Sequence, residues 1–332
     1  MIISRTPFRV SFFGGGTDYP VWYRENGGAV LSTTINKYCY ISCRKLPPFF
    51  EYRSRILYSK MEYVREVSEI QHPAVREALR YLKIEEGVEL HHDGDLPART
   101  GIGSSSTFSV GLFHALYALL GRMTSKHQLA WDALHLEHAL LQEAVGSQDP
   151  VAAAYGGLNR IDFLRDGSFT VSPVILRKER LVALQSYCLL IFTGFVRTAS
   201  EIAEEQVREI PARKSELTRM HEMVGEAVGL LQGSGDLVEF GRLLHEGWQL
   251  KRRLSSRIAT RETDAIYEAG LQAGAVGGKI LGAGGGGFML LFARPEDHAR
   301  IREKLPKLLH VPFRFETLGS QIIHYEPFDQ ES

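Results

Sequence analysis

Pro97-Ala-Arg-Thr-Gly101-Ile102-Gly103-Ser104-Ser105-Ser106-Thr107 has the residue types of a phosphate cradle. Its glycines let backbone approach a ligand with no Cβ in the way. Phe108, Leu112, Leu116, Leu119 and Leu120 follow at the spacing of one helical face, so the stretch feeds a helix N-terminus. Free N–H groups of a first helical turn, together with the helix dipole, favour an anion. The serine hydroxyls could add bonds to phosphate oxygens or ligate a hard metal ion. The same residues would also serve as an ordinary Ser N-cap after a glycine loop. Taken alone, the stretch leaves both readings open.

Four further stretches carry candidate chemistry. Arg9 leads into Gly14-Gly15-Gly16-Thr17-Asp18, where three consecutive glycines imply close backbone approach or positive φ. Asp18 is a natural acceptor for sugar hydroxyls, and equally a natural turn residue. Glu137 borders the apolar stripe of a helix carrying Leu129, Ala133, Leu136 and Leu140. A carboxylate there needs a partner, which a hard cation or a salt bridge would supply. Neighbouring His135 and His138 fit no common zinc spacing and read as helix-surface residues. Asp149 follows Gly146-Ser147-Gln148, on the turn after that helix. One carboxylate could then hold a metal while the other faces an acceptor hydroxyl, as phosphoryl transfer requires. Asp149-Pro150 is also a common turn. Last, Lys279-Ile-Leu-Gly282-Ala-Gly284-Gly285-Gly286-Gly287 is a second backbone surface, or a hinge, before an apolar strand.

The elements that must position these residues follow from periodicity. Ile2–Phe13 reads as a strand broken at Pro7. Residues 29–35 and 37–44 read as two strands joined near Asn36, and 88–93 as another. Helices are expected from about Pro73 to Leu82, after the cradle, and from an N-cap at Thr124 to near Gly146. Residues 182–195 read as strand. Helices then follow from Ala199 with a break at Pro211, after an Asp236/Glu239 capping box, and after Thr263. Residues 288–292, 311–315 and 321–325 read as strands, with a helix opened by Pro295 between the first two. The pattern is α+β, with a lobe boundary expected near residues 163–171.

The 332 residues suffice for two lobes, and 44% hydrophobic with 23% charged is ordinary for a soluble protein. Lys plus Arg balances Asp plus Glu at 39 each. That neutrality argues against nucleic acid or an anionic membrane as the main partner. Three cysteines with no paired spacing predict reduced thiols in a cytosolic protein. No signal pattern or bilayer-length apolar run is evident.

In this combination and order, the motifs resemble the GHMP kinases over nearly the whole chain. The first family motif corresponds to Pro7 through Asp18. The Pro-x-x-x-Gly-Leu-Gly-Ser-Ser signature corresponds to Pro97 through Ser105, with Ile102 for Leu and Ser106 where Ala is more usual. The third corresponds to Lys279 through Phe288. The resemblance implies a two-lobed α+β fold: a ribosomal-protein-S5-domain-2-like N-lobe over residues 1–165 and a ferredoxin-like C-lobe over 166–332. ATP would lie between them, with Gly101, Ile102, Gly103, Ser104, Ser105 and Ser106 around its phosphates. Ser105 and Glu137 match the family's Mg²⁺ ligands, Asp149 its catalytic carboxylate and Arg9 the basic residue beside it. Gly16, Thr17, Asp18, Gly284 and Gly285 fall at substrate-binding positions.

Within the family, Gly14–Asp18, Gly27-Gly-Ala-Val-Leu31, Ile35-Asn-Lys37-Tyr38, Gly146-Ser-Gln-Asp149 and Phe192-Thr-Gly194 resemble the D-glycero-D-manno-heptose 7-phosphate kinases. The galactokinases' usual Glu-His is replaced by Gly15-Gly16. A cytoplasmic kinase is implied, phosphorylating the anomeric hydroxyl of the heptose 7-phosphate on the way to nucleotide-activated heptose and a surface glycan. Arg197 is one candidate for holding the acceptor's own phosphate; Lys37, Arg44 and Arg53 are others. The alternatives are another sugar 1-kinase, for fucose, galactose or an acidic sugar, and a sensor of the same fold that binds without turnover. A nicotinamide dehydrogenase lacks its third glycine after Gly101-x-Gly103, and a serine hydrolase lacks its Gly-x-Ser-x-Gly elbow.

Overall fold

The computed structural model describes residues 1–194 and 199–326. In chain order its first part runs Ile2–Phe13 (β1), Pro20–Asn26 (α1), Gly28–Lys45 (β2), Ser54–Leu57 (β3), Met61–Val64 (β4), Pro73–Tyr81 (α2) and Val88–Gly94 (β5). Ser104–Leu119 (α3), Lys126–His135 (α4), Gln148–Tyr155 (α5), Leu158–Phe163 (β6), Phe169–Pro173 (β7), Lys178–Ser186 (α6) and Cys188–Phe192 (β8) follow. The remainder is Ala199–Glu209 (α7), Lys214–Gln232 (α8), Val238–Arg252 (α9), Arg261–Gln272 (α10), Ala275–Ile280 (β9), Phe288–Ala293 (β10), His298–Lys304 (α11), Leu309–Val311 (β11), Phe315–Glu316 (β12) and Gln321–Tyr325 (β13).

Two sheets carry these elements. The first has the order β13-β1-β2-β5-β3-β4, with β6 and β12 also on β2, and β7 on β6. Pro7 does not break β1. The register on β2 slips between Pro7 and Arg9, so a bulge absorbs the missing N–H and turns the Arg9 N–H onto the Ile102 carbonyl, 3.2 Å away. Nor does Asn36 break β2. Its N–H donates to the Arg314 carbonyl and its side chain accepts from the Arg314 N–H, so the chain stays extended for 18 residues. The turn 164–168, between β6 and β7, spans the expected lobe division at 165, and β7, β12 and β13 from beyond it join the first sheet.

The second sheet is antiparallel with order β11-β8-β10-β9. With helices between β8 and β9 and between β10 and β11, this is the β-α-β-β-α-β order of a ferredoxin-like unit. Strand β9 lies inside the glycine-rich segment, which had not read as strand. Gly277 has no room for a Cβ, which would stand 2.0 Å from the Gly241 carbonyl, so its absence lets α9 lie directly on β9. Phe240 of α9 packs edge-on against Phe12 and Phe13 of β1 and against Phe292 of β10, joining the two sheets.

Other boundaries moved for local reasons. Ser125, not Thr124, caps α4, accepting from Gln128 N–H at 3.0 Å. Residues 182–195 are not one strand: α6 runs to Ser186, with Val182 exposed, before β8 begins. Asp236 accepts from the Val238 N–H, but Glu239 bonds Arg242, so the expected capping box does not form. The three cysteines are free and buried. Among the described residues no helix is long and apolar enough to cross a membrane.

Candidate active site

The cradle is built as its residue types suggest. Gly103 enters α3 with φ 76°, and both the N–H and the hydroxyl of Thr107 donate to its carbonyl at 2.8 Å. Ser104, Ser105 and Ser106 occupy the first turn, where N–H groups have no helical acceptor. Arg99 lies in the left-handed region at φ 62°, held by its N–H donating to the Ser104 hydroxyl at 3.0 Å. Ile102 is fully buried and belongs to the core. Gly101 is stacked on the second glycine segment: a Cβ on Gly282 would stand 2.4 Å from the Gly101 Cα. The Phe288 N–H donates to Thr100 O at 3.0 Å.

Arg9 and Asp149 face each other across the cradle's edge. Arg9 donates from Nε and Nη2 to the two Asp149 oxygens, at 2.7 and 2.8 Å, and from Nη1 to the Gly101 carbonyl at 2.6 Å. Asp149 stands in the first turn of α5, where helix N–H groups and dipole favour a carboxylate, rather than on a turn outside any helix. A Cβ on Gly103 would lie 3.3 Å from the Asp149 carboxylate, so the cradle and the aspartate share one floor. Burial holds the Asp149 carboxyl above its usual value, and the Arg9 guanidinium offsets only part of that rise.

Asp18 is held from three sides. It accepts from Gly16 N–H at 2.8 Å and from both the backbone N–H and the side-chain amide of Gln148. Gly146 must be glycine because its Cβ would stand 2.1 Å from an Asp18 oxygen. Thr17, by contrast, spends its hydroxyl on the Gly14 and Ala29 carbonyls and is fully buried.

Glu137 lies deeper than its place beside a stripe suggested. The α-helix does not continue to Gly146: Leu136–Leu140 is a π turn, closed by Leu141 N–H onto Leu136 O at 2.9 Å. Such turns recur at functional sites. Glu137 is 1% exposed; its Oε2 accepts from the Ser106 hydroxyl at 3.1 Å while its Oε1 is buried without a partner. Burial pushes its carboxyl up to about 8. Ser106, rather than Ser105, is therefore the serine that touches Glu137, because Ser106 faces inward on α3 while Ser105 is exposed. An unpartnered buried carboxylate oxygen beside serine hydroxyls suits a hard cation. Among the described residues no three His, Cys, Asp or Glu cluster as metal ligands, so hydroxyls, phosphate and water would have to complete such a shell.

A cleft of about 470 Å³ gathers most of these groups. Arg9, Gly16, Asp18, Gly101, Gly103, Ser104, Ser105, Ser106 and Asp149 line it. Ile102, Thr17, Glu137, Gly284 and Gly285 are not on its wall; Glu137 lies behind it, reached through Ser106, while Gly284 and Gly285 pack on Ile258, whose carbonyl accepts from Gly285 N–H. Arg44 is paired with Glu89 and Arg53 donates to the Glu85 carbonyl, both away from the cleft. Arg197 lies outside the described residues.

The cleft also holds residues the sequence reading passed over: Arg99, Gln148, Gln206 and Lys251. Lys251 had a legible signal. It follows Leu244 by seven residues and Trp248 by three, placing a charge on the buried face of α9. Gln206 of α7, buried at the same wall, had a similar signal, following Ile202 by four residues and Ala203 by three on a helix that had read only as polar.

Residues 64–157 match the model of the GHMP kinases N-terminal domain, and residues 227–311 that of the GHMP kinases C-terminal domain. The chain belongs to the GHMP kinases. It is accordingly a phosphotransferase. A relative in Campylobacter jejuni, "D-glycero-alpha-D-manno-heptose 7-phosphate kinase", is 27% identical over 92% of this GHMP kinase and 93% of its own length. In Bacteroides fragilis, "L-fucokinase/L-fucose-1-P guanylyltransferase" is 28% identical over 92% of this chain, which spans only 36% of that longer protein. A crystal structure of a D-glycero-D-manno-heptose 1-phosphate kinase from Bacteroides thetaiotaomicron matches with a TM-score of 0.81. It is 23% identical and covers 98% of this chain and 99% of that one, a likeness of fold.

Proposed function

We propose that this GHMP kinase transfers the γ-phosphoryl group of ATP to the anomeric hydroxyl of D-glycero-D-manno-heptose 7-phosphate, giving the 1,7-bisphosphate in the cytoplasm for nucleotide-heptose and surface-glycan synthesis. The observation that carries the transfer is the Arg9–Asp149 pair, fixed bidentately against Gly101 and Gly103 at the mouth of a helix N-terminus. ATP phosphates would take the N–H groups of Ser104, Ser105 and Ser106. Glu137 with Ser105 or Ser106 would hold Mg²⁺, which supplies charge neutralisation on the phosphate oxygens. Asp149 accepts the acceptor's proton as the new O–P bond forms. The bond from the γ-phosphorus to the bridging oxygen breaks, and ADP leaves with that electron pair. An anomeric hydroxyl is more acidic than an ordinary alcohol, so a carboxylate suffices as base. Asp18 and Gln148, whose Oε1 is buried without a partner, offer acceptors for sugar hydroxyls.

The choice of a phosphorylated heptose rests on the Campylobacter relative's name and on Gly15-Gly16 in place of the galactokinases' Glu-His. The relatives' names differ on where the acceptor's phosphate sits, at position 7 in one and 1 in the other. Phosphorus NMR of the product, after incubation with the heptose 7-phosphate, the heptose 1-phosphate, fucose and galactose, tests the acceptor. A 1,7-bisphosphate formed only from the 7-phosphate supports the proposal; equal use of unphosphorylated hexoses overturns it.

A further inference from the structure

Arg9 cannot by itself offset the charge of a phosphoryl group. Three of its five N–H groups are engaged, Nε and Nη2 by Asp149 and Nη1 by Gly101, and the Arg9–Asp149 pair is neutral as a unit. With Asp18 added, the side chains on that wall sum to one negative charge. Phosphoryl transfer needs a cation there that is not already committed.

Lys251 is placed to supply it. It reaches the cleft from the last turn of α9 and is 5% exposed. Its ammonium donates to the Gly282 carbonyl. It lies about one contact distance from Gly15, 4.0 Å from where a Cβ on that residue would be. Among the described residues it makes no ion pair. An ammonium has three donors, so a buried one with a single carbonyl acceptor is under-satisfied. Its place is specific. Gly282 lies on Gly101 of the cradle, and Gly15 lies in the loop that ends at Asp18, so Lys251 joins the nucleotide side to the acceptor side. Lys279, the other buried lysine nearby, donates to Phe12 O and does not line the cleft. Arg99 lines it but is exposed.

We propose that Lys251 is a phosphate-binding residue that contacts the transferred phosphoryl group between the cradle and the acceptor. The inference rests on the kinase reading of this cleft but not on the identity of the acceptor. Burial lowers the ammonium to about 8; Asp18 and Asp149 hold it up against Arg9. Those three, from the first loop, α5 and β1, with Lys279 of β9, are the charged groups facing it. The lysine must be protonated to act, so turnover falls as pH rises through about 8.

The test compares wild type, Lys251→Met and Lys251→Arg in steady-state transfer across pH 6–10. Lys251→Met is expected to lose at least ~100-fold in kcat, with KM for ATP changed no more than about threefold. Lys251→Arg is expected to recover at least about tenfold of that loss and to abolish the alkaline fall, since a guanidinium stays protonated. A kcat for Lys251→Met within about threefold of wild type, or an alkaline limb unchanged in Lys251→Arg, overturns the proposal. Should Lys251→Met not fold, the limb in Lys251→Arg decides alone. If the wild type uses none of the sugars tested, the acceptor assignment fails by itself, and the same ratios are read on ATP hydrolysis without acceptor.

Discussion

Asp149→Asn separates what the Arg9–Asp149 pair does for the fold from what it does for transfer. Asn keeps one oxygen able to accept from Arg9 but turns an NH₂ toward the second guanidinium nitrogen, so one bond is lost and a donor faces a donor. Arg9, 2% exposed, is left with a charge that only the Gly101 carbonyl and the more distant Asp18 relieve. Breaking a buried pair costs about 3–5 kcal/mol; the Asp149 side chain is 22% exposed, which places the cost at the lower end. For a chain of this size about 3 kcal/mol lowers Tm by about 5 °C. Loss of the base costs about 10²–10⁴-fold in kcat. Nucleotide binding uses cradle backbone that the substitution does not touch, so the Kd for MgATP stays within about threefold. Differential scanning calorimetry, isothermal titration and single-turnover transfer on the same preparation measure all three. A variant of unchanged Tm that still transfers within tenfold of wild type refutes the reasoning, because the pair would then be neither a structural clasp nor part of the chemistry.

Three further outcomes follow. Glu137→Gln keeps the shape of the neutral carboxyl that burial favours, so Tm without Mg²⁺ is unchanged or higher, while the Mg²⁺ concentration for half-maximal activity rises at least ~10-fold. Gly282→Ala forces a Cβ to within 2.4 Å of Gly101 Cα and should lose at least ~100-fold in kcat/KM, whereas Gly121→Ala, with nothing within 4 Å of its Cβ but φ 66°, costs only about 1 kcal/mol in denaturant unfolding and no activity. The folded pKa of Lys251, about 8, lies below its ordinary 10.5, so the unfolded chain binds more protons between those values and this residue makes stability rise with pH there; urea unfolding of Lys251→Met should show a flatter pH dependence across that window.

The parts of the site legible in the sequence were those with local signatures. Glycine runs, the serines before a helix and the carboxylates marked Arg9, Asp18, Gly103 and Asp149 one by one, and the resemblance of their order to the GHMP kinases implied the single cleft that they line. What escaped depends on partners distant in sequence. Asn36 looked like a turn until Arg314 arrived to satisfy it, and Pro7 looked like a break until a bulge against β2 absorbed it. The π turn at Leu136–Leu140 leaves no mark in the 3.6-residue pattern, yet it is the segment that carries Glu137. Lys251 could have been found, since a lysine three residues after Trp248 sits on an apolar face, and so could Gln206, four residues after Ile202, though only tertiary packing brings those faces to the cleft. Glycine density misled in the opposite sense. Gly277 and Gly278 read as loop and are strand, the missing side chain of Gly277 admitting α9 and that of Gly278 the close approach of Leu290 and Leu291 on β10.

Transfer itself is the most direct test of the site. Purified protein, [γ-³²P]ATP and D-glycero-D-manno-heptose 7-phosphate are combined with and without Mg²⁺, and labelled product is followed for the wild type and Asp149→Asn. The wild type is expected to give a Mg²⁺-dependent, doubly phosphorylated heptose, and Asp149→Asn to lose about 10²–10⁴-fold in its rate at preserved ATP binding. Label passing to that sugar at equal rates in the two proteins would contradict this expectation.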